Sequence, residues 1–511
     1  MDGLRKCFAE EFAEIYVFNL RGNQRTQGET SRREGGKIFG SGSRAPIAIT
    51  ILVKAPHEGS AKIFYRDIGD YLSRDEKLSI IDSTHDVLHG NFKPITPNER
   101  GDWINQRGNE FETFIPLHES SNPKYGIWFV TRSNGVQTAR DAWCYNFSRS
   151  ELEKNIRTTI DYYNSHSPTE IDPTKFVWNS SSVQNKNRGL KIEFDASKIV
   201  ESLYRPFCKQ NLYLGDGLIH RRAKMDSLFP NGAANLLICV NAIGNRREFC
   251  PFITDKIPDS ALSIDLVQCY PLYWYESARQ GSLFGENLER RDGVTDFIWN
   301  RAKLLYGIDV SKEDIFYYVY GFLHLRSYRE KSSAELKKSL PRIILTPDAK
   351  KFWQLSRAGR NLAEIHLNYE TQEPPAEVQL EIRSEELGIK TVPAFLIPNS
   401  KFLIEAGGDF RVKKLRFARD DRTTLIYNEF ITIKNIPPRS FEYVVNGRSP
   451  LEWIIDRYQV KTDSASGIIN NPNDWATEHD NEKYILNLIL SSITVSLKTL
   501  DIVENLPEIE F

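Results

Sequence analysis

Apolar positions in the first eighty residues gather into short runs of β-type composition. Glu14–Leu20 (EIYVFNL) and Ile47–Lys54 (IAITILVK) read as strands, and the second is apolar at nearly every position, as a strand covered on both faces would be. Ala61–Ile68 (AKIFYRDI) alternates more and reads as an edge strand; SRDEKLSII after it reads as a short helix. Residues 82–117 carry Gly, Pro and Asn with little periodicity, and their aromatics point to an ordered connector lying against a surface.

From Gly126 the pattern is mixed. Ser148 followed by Glu151 predicts a capping box opening the helix in SRSELEKNIRTTIDYYNSH, each side chain satisfying the other's free backbone N–H. LYLGDGLIH, LLICVNAI and LSIDLVQCYPLYWY give short β-type runs between Lys191 and Tyr275. Helices follow. Ser311 caps a run burying Ile315, Val319 and Phe322, and Phe352, Leu355, Ala358, Leu362 and Ile365 form a second stripe at helical spacing. An acidic, proline-containing segment, 369–388, precedes another β-rich patch, DFRVKKLRFARDDRTTLIYNEFITI. Ser449-Pro450-Leu451-Glu452 starts a further helix with Pro at its first position and Glu at its third. The last helix, from about Asn481, places Ile485, Leu488, Ile489, Ile493, Leu497 and Leu500 on one face. The fold class is mixed α/β.

At 511 residues the chain exceeds one ordinary core and predicts two to four domains. A net charge of −1 gives no overall bias toward polyanions, so any nucleic-acid surface must come from local clustering. The six cysteines form no C-x-x-C pair and fit neither a zinc ribbon nor a disulfide framework, which predicts mostly buried, reduced thiols. The start, MDGLRKCFAEEF, lacks a signal-peptide core, and no run of 18 apolar residues occurs; the expectation is a soluble cytoplasmic protein with no membrane partner.

Catalytic motifs fail on inspection. In GGKIFGSGSRAP the residue five before Gly36 is Ser31 and Lys37 is followed by Ile38, so there is no Walker A loop. Pro46 leads into a strand instead of the helix that a dinucleotide fingerprint must open. Pro258-Asp259 and Glu335-Leu336-Lys337 lie too far apart in sequence for a PD…ExK nuclease, and the histidines are scattered. An amino-methyltransferase needs a [DNS]-P-P-[YFW] loop to hold the target amine. Glu373-Pro374-Pro375-Ala376 and Ile436-Pro437-Pro438-Arg439 lack both the polar first residue and the aromatic. No catalytic, cofactor-binding or metal-binding residue is assigned.

Charge clustering is the positive signal. Tyr16–Lys54 holds seven basic residues against two acidic, Gln184–Lys224 nine against four, and Arg411–Arg422 six against two. Such patches suit phosphate neutralisation.

Eight stretches together resemble the type ISP restriction–modification enzymes. They are FNLRGNQRTQGETSRREGGKIFGSGSRAPIAITILVK, YRDIGDYLSRDEKL, GDWINQRG, RDAWCYNFSR, LYRPFCKQNLY, KEDIFYYVYGFLH, HLNYE and WIIDRYQVKTDSASGIINNPNDW. In that family a nuclease, a helicase-like motor, an adenine-N6 methyltransferase and a target-recognition domain follow in order, and the resemblance spans this whole chain but only the last third of such an enzyme. It implies a truncated C-terminal part of a Rossmann-like methyltransferase sheet at 1–82, an ordered connector at 83–125, and an α+β target-recognition domain at 126–511, β-rich to 310 and helix-rich after it. The first strands, the cofactor turn and the NPPY-type loop would lie upstream of Met1, so the chain alone binds no S-adenosylmethionine, which serves the complete enzyme. The implied function is recognition of a duplex DNA sequence, positioning an adenine for N6 methylation and directing restriction, with the upstream methyltransferase, helicase and nuclease portion as partner. The alternatives are one part of a split methyltransferase and a non-catalytic DNA-binding remnant. Candidate DNA contacts are Arg21, Arg25, Lys186, Arg188, Arg221, Arg222, Arg246, Arg247, Lys413 and Lys414.

Overall fold

The structure is a computed structural model that describes residues 2–22, 38–39, 45–106, 108, 110–120, 126–245, 247–263, 265–277, 288–384, 388–396 and 409–510. The chain divides into two units, Met1–Glu112 and Thr113–Phe511. The boundaries read from the sequence, after residues 82 and 125, fall on either side of this division.

The first unit contains helix α1 (Asp2–Glu11), strands β1 (Glu14–Asn19), β2 (Ala48–Val53) and β3 (Lys62–Asp67), helix α2 (Arg74–Asp82) and strand β4 (Lys93–Ile95). The sheet order is β2-β1-β3-β4, with β1 parallel to β3 and antiparallel to β2. Two expectations are corrected here. The apolar run of β2 does not mark a strand covered on both faces: among the described residues β2 is an edge strand, and Ile49, Ile51 and Val53 are 40%, 44% and 36% exposed. The alternating run of β3 marks an interior strand instead of an edge, because the side chains of Ile63 and Ala61 pack beside Ile15 while its backbone pairs on both sides. Serine chemistry starts α2 as the sequence suggests, with Ser73 and Glu76 capping each other's backbone N–H.

In the second unit, β5 (Tyr145–Asn146) and α3 (Arg149–Ser165) precede β6 (Ile199–Arg205), β7 (Cys208–Tyr213), β8 (Leu237–Asn241), β9 (Phe252–Thr254), β10 (Ile257–Pro258) and β11 (Val267–Pro271). These form two small sheets, β10-β6-β7-β5 and β9-β8-β11. Helices α4 (Lys312–Leu323) and α5 (Ala349–Leu367) come next. A five-stranded antiparallel sheet lies within the stretch expected to be helix-rich. Its strands are β12 (Gln379–Ser384), β13 (Gly388–Pro393), β14 (Arg416–Ala418), β15 (Asp421–Ile426) and β16 (Ile431–Lys434), in the order β13-β12-β16-β15-β14. Helices α6 (Pro450–Arg457) and α7 (Tyr484–Glu504) follow.

Helices α4 and α5 cross at two glycines. A Cβ on Gly359 would collide with the Tyr317 carbonyl, and one on Gly321 with that of Leu355, so the backbones touch where side chains are missing. The Ser356 hydroxyl then donates to the Asp314 carbonyl at 2.8 Å. A buried relay ties this pair to α7. The Tyr320 hydroxyl donates to His366 Nδ1 at 2.6 Å, and His366 Nε2 lies 2.9 Å from the Thr499 hydroxyl, whose own proton goes to the Val495 carbonyl. His366 is therefore neutral and protonated on Nε2.

Among the described residues α7 is the one helix long and apolar enough to cross a membrane. Ile485, Leu488, Ile489 and Ile493 are buried in the unit's core beside Trp453 and Tyr458, which makes it a core helix. Ser449 and Glu452 form the expected capping box at α6. At α3 the reciprocal box does not form. Ser148 accepts from Glu151 N–H, but Glu478 reaches across from another helix and accepts from Ser148 Oγ and the N–H groups of Arg149 and Ser150. A carboxylate beside the free N–H groups of a helix start is favourable. Burial alone would raise Glu478, but these donors hold its carboxyl below the usual range. Of the six cysteines, Cys7 is exposed and the other five are buried.

Candidate nucleic-acid interface

The segment from Val130 to Thr138, VTRSNGVQT, runs between neighbouring elements and is hydrogen-bonded to each of them in turn. Val130 N–H donates to the Gly293 carbonyl at 2.8 Å. Ser133 and Cys269, on β11, exchange both backbone bonds at 3.0 and 2.8 Å. Val136 N–H donates to Pro258 on β10 at 2.8 Å, and its carbonyl accepts from Ser260 at 2.7 Å. Gln137 and Arg221 exchange bonds at 2.8 and 2.9 Å. Ser133, Val136 and Thr138 are buried while Asn134 is exposed. A Cβ on Gly135 would collide with the Asp259 carbonyl, so only glycine lets the strand lie this close.

Below the segment sits a buried ion pair. Arg205 meets Asp259 at 2.8 Å, and the Tyr145 hydroxyl donates to the same carboxylate at 3.2 Å. Burial pushes the Asp259 carboxyl up to about 6 despite the Arg205 guanidinium beside it.

Cations and amides line the outer side. Arg132 donates to the Gln268 side-chain oxygen, and the Gln268 amide donates in turn to Asn134 Oδ1. Lys224 Nζ donates to the Thr131 hydroxyl at 2.6 Å, and Lys224 N–H to Ser133 Oγ at 3.1 Å. Arg221 is exposed, and its guanidinium has no hydrogen-bond or ion-pair partner among the described residues. His118 lies within electrostatic range of Arg132 and Lys224. Burial lowers its imidazole most, the Phe129 carbonyl opposes this, and the two cations lower it further, so it is neutral at neutral pH.

The sequence candidates have different local surroundings. Arg221 faces out, whereas its neighbour Arg222 is clamped by Asp216 and Asp226, each at 2.5 Å. Lys186 caps the end of α3, donating to the carbonyls of Tyr163 and Asn164 at 2.7 and 2.8 Å. Arg188 is exposed at the end of the helix Ser180–Asn187 that carries Lys186. Arg247 donates to the Asn446 carbonyl and so joins two loops. Lys413 and Lys414 are exposed on a segment fixed by the reciprocal bonds between Val412 and Asn473, both 2.8 Å. In the first unit Arg21 is held by Asp67 at 2.6 Å and by Asp70. Arg25 and Arg246 lie outside the described residues. Sequence reasoning missed Arg132, Asn134 and Gln268. The available signal was the polar, glycine-containing TRSNGVQT run just after the apolar Trp128 and Phe129.

Against this geometry stand the likenesses to known proteins. The family model described as the type ISP C-terminal specificity domain matches residues 128–488. A structure of a nuclease-deletion mutant of the type ISP restriction–modification enzyme LlaGI, in complex with a DNA substrate mimic, is 39% identical over 100% of this chain and 45% of its own, with a TM-score of 0.83. The ATP-dependent type ISP restriction–modification enzyme LlaBIII bound to DNA is 34% identical over 100% of this chain and 32% of its own, with a TM-score of 0.85. The DrdV–DNA complex is 25% identical over 100% of this chain and 49% of its own, with a TM-score of 0.77. The chain thus spans less than half the length of each of these structures. No curated protein matches it.

Proposed function

The chain belongs to the type ISP restriction–modification family, whose C-terminal specificity domain it carries, and from that premise we propose that Thr113–Phe511 recognises a duplex DNA sequence for such a system. The observation that carries this reading is the outward row of Arg221, Lys224 and Arg132. It lies inside the matched range and on a backbone pinned to three neighbouring segments. A rigid support matters because groups that register a duplex must be held within a fraction of an ångström. Arg221 and Lys224 are suited to phosphate oxygens, which fix register and carry most of the affinity.

In this reading the recognised duplex is held so that an adenine can be turned out of the stack for N6 methylation, with restriction directed by the same event. S-adenosylmethionine, the methyltransferase pocket, the motor and the nuclease belong to the complete enzyme, which works on DNA in the cytoplasm.

The test is duplex binding by the 511-residue chain across a salt series. Affinity should fall steeply with salt. Arg221→Ala should weaken binding to all sequences alike and reduce the log–log salt slope by about one. A folded wild-type chain that binds no duplex overturns the proposal.

A further inference from the structure

We infer that Arg132 reads a guanine in the major groove, held for that task by Gln268 and Asn134. The inference rests on the DNA-recognition reading above and adds to it the group that supplies sequence preference. Arg132 spends one Nη1 bond on Gln268. Its Nε and Nη2 have no partner among the described residues, and these two donors form one straight edge of the guanidinium. That edge matches the N7 and O6 acceptors of guanine, a pairing no other base offers in the major groove.

The rest of the row is built to hold this edge still. Gln268 is 8% exposed on β11, so its amide cannot swing freely, and its NH2 group is spent on Asn134 Oδ1. Spending the NH2 leaves the Gln268 oxygen facing Arg132 as acceptor, which fixes the direction of the relay. Both ends of the row are donors: the Arg132 edge at one, and the exposed Asn134 Nδ2, without a partner among the described residues, at the other. Gly135 and the Ser133–Cys269 pair keep the backbone beneath from relaxing. Arg221 and Lys224 flank the row with positive charge that would bring a phosphate backbone onto it. A salt bridge would have disabled Arg132 as it does Arg222; an amide partner orients the guanidinium and leaves its charge uncompensated.

The experiment selects tight binders from a randomised duplex library with the 511-residue wild-type chain, Arg132→Ala, Arg132→Lys and Arg221→Ala, each checked for folding by thermal melting. The wild type should enrich a guanine at one or more positions. Arg132→Ala and Arg132→Lys should lose the preference at one guanine by about 5- to 150-fold while keeping the other positions. Arg132→Lys keeps the charge and loses the flat edge, so its affinity for unrelated duplex should stay near wild type. Arg221→Ala should keep the whole preference and bind more weakly throughout. Unchanged preferences in both Arg132 variants, or a wild type that binds with no guanine preference, overturn the inference and leave DNA recognition standing. Absence of any duplex binding by wild type overturns both.

Discussion

Gln137 and Arg221 exchange both backbone hydrogen bonds, and two residues beyond each stands an alanine in the left-handed region, Ala139 at φ 57° and Ala223 at φ 54°. An alanine in that conformation costs about 1 kcal/mol or more relative to its favoured region. The pairing between the two segments holds both turns in place.

Ala223→Gly should therefore stabilise the second unit, by up to about 1 kcal/mol, since glycine adopts positive φ without strain and loses part of the gain to chain entropy. Denaturant unfolding measures it. A fall in the midpoint would mean that Ala223 is not strained, or that its methyl group is a packing contact.

Lys186 and Arg221 both come from one basic stretch, yet Lys186 bonds two carbonyls while Arg221 is exposed. Lys186→Ala removes the donor that satisfies two carbonyls at the end of α3 and should cost about 1–2 kcal/mol of stability. Duplex affinity should hardly change. Unfolding and gel-shift measurements on the same preparation separate the two effects, and a Lys186 variant of wild-type stability with weakened DNA binding would reverse the assignment.

Acid should loosen the helical core before it disturbs the exposed row. Burial holds His324 down to about 3 from an ordinary 6.5, and His366 is lowered by burial together with its neighbour His324. Nδ1 of His324 donates to the Tyr320 carbonyl at 2.8 Å, and its buried Nε2 has no partner among the described residues. Both pKa values are depressed in the folded state, so their stabilisation is complete above about pH 6.5 and is lost as the pH falls below it, for His324 down to about 3. Each histidine contributes a slope of about 1.4 kcal/mol per pH unit in that window. His324→Phe should make the acid limb of the stability curve shallower by one such slope. An unchanged limb would show that another group dominates.

Strand β2 should exchange its amide protons faster than α7. It pairs only with β1 among the described residues and leaves Ile49 and Ile51 open, whereas α7 is enclosed. Ile51→Thr should shift stability by less than about 0.5 kcal/mol and reduce aggregation. Hydrogen exchange resolved along the chain, with light scattering of the variant, tests both halves; protection of β2 equal to that of α7 would refute the first.

Local chemistry was the most legible part of the sequence. Ser311, Ser449 and Ser73 start helices where their spacing to an acidic residue says they should, because capping is decided within four residues. Ser148 shows the limit: its box is displaced by Glu478, more than three hundred residues away. The same limit governed the site. Arg222 and Arg221 are indistinguishable as letters, and only the folded positions of Asp216 and Asp226 tell which guanidinium is spent. Arg132 and Gln268 lie 136 positions apart and meet through the pairing of Ser133 with Cys269, which no periodicity announces. Basic content marked Gln184–Lys224 as a place to look, but uncharged Asn134 and Gln268 contribute nothing to such a count.

The division of labour along VTRSNGVQT has an evolutionary consequence. Buried Ser133, Gly135 and Val136 carry the obligations to the fold, while the side chains of Arg132 and Asn134 bond only to Gln268 among the described residues. In the proposed interface these letters can thus be exchanged without re-engineering the scaffold beneath them. A lineage under pressure to change its target site could rewrite its vocabulary at positions 132 and 134 and keep its grammar.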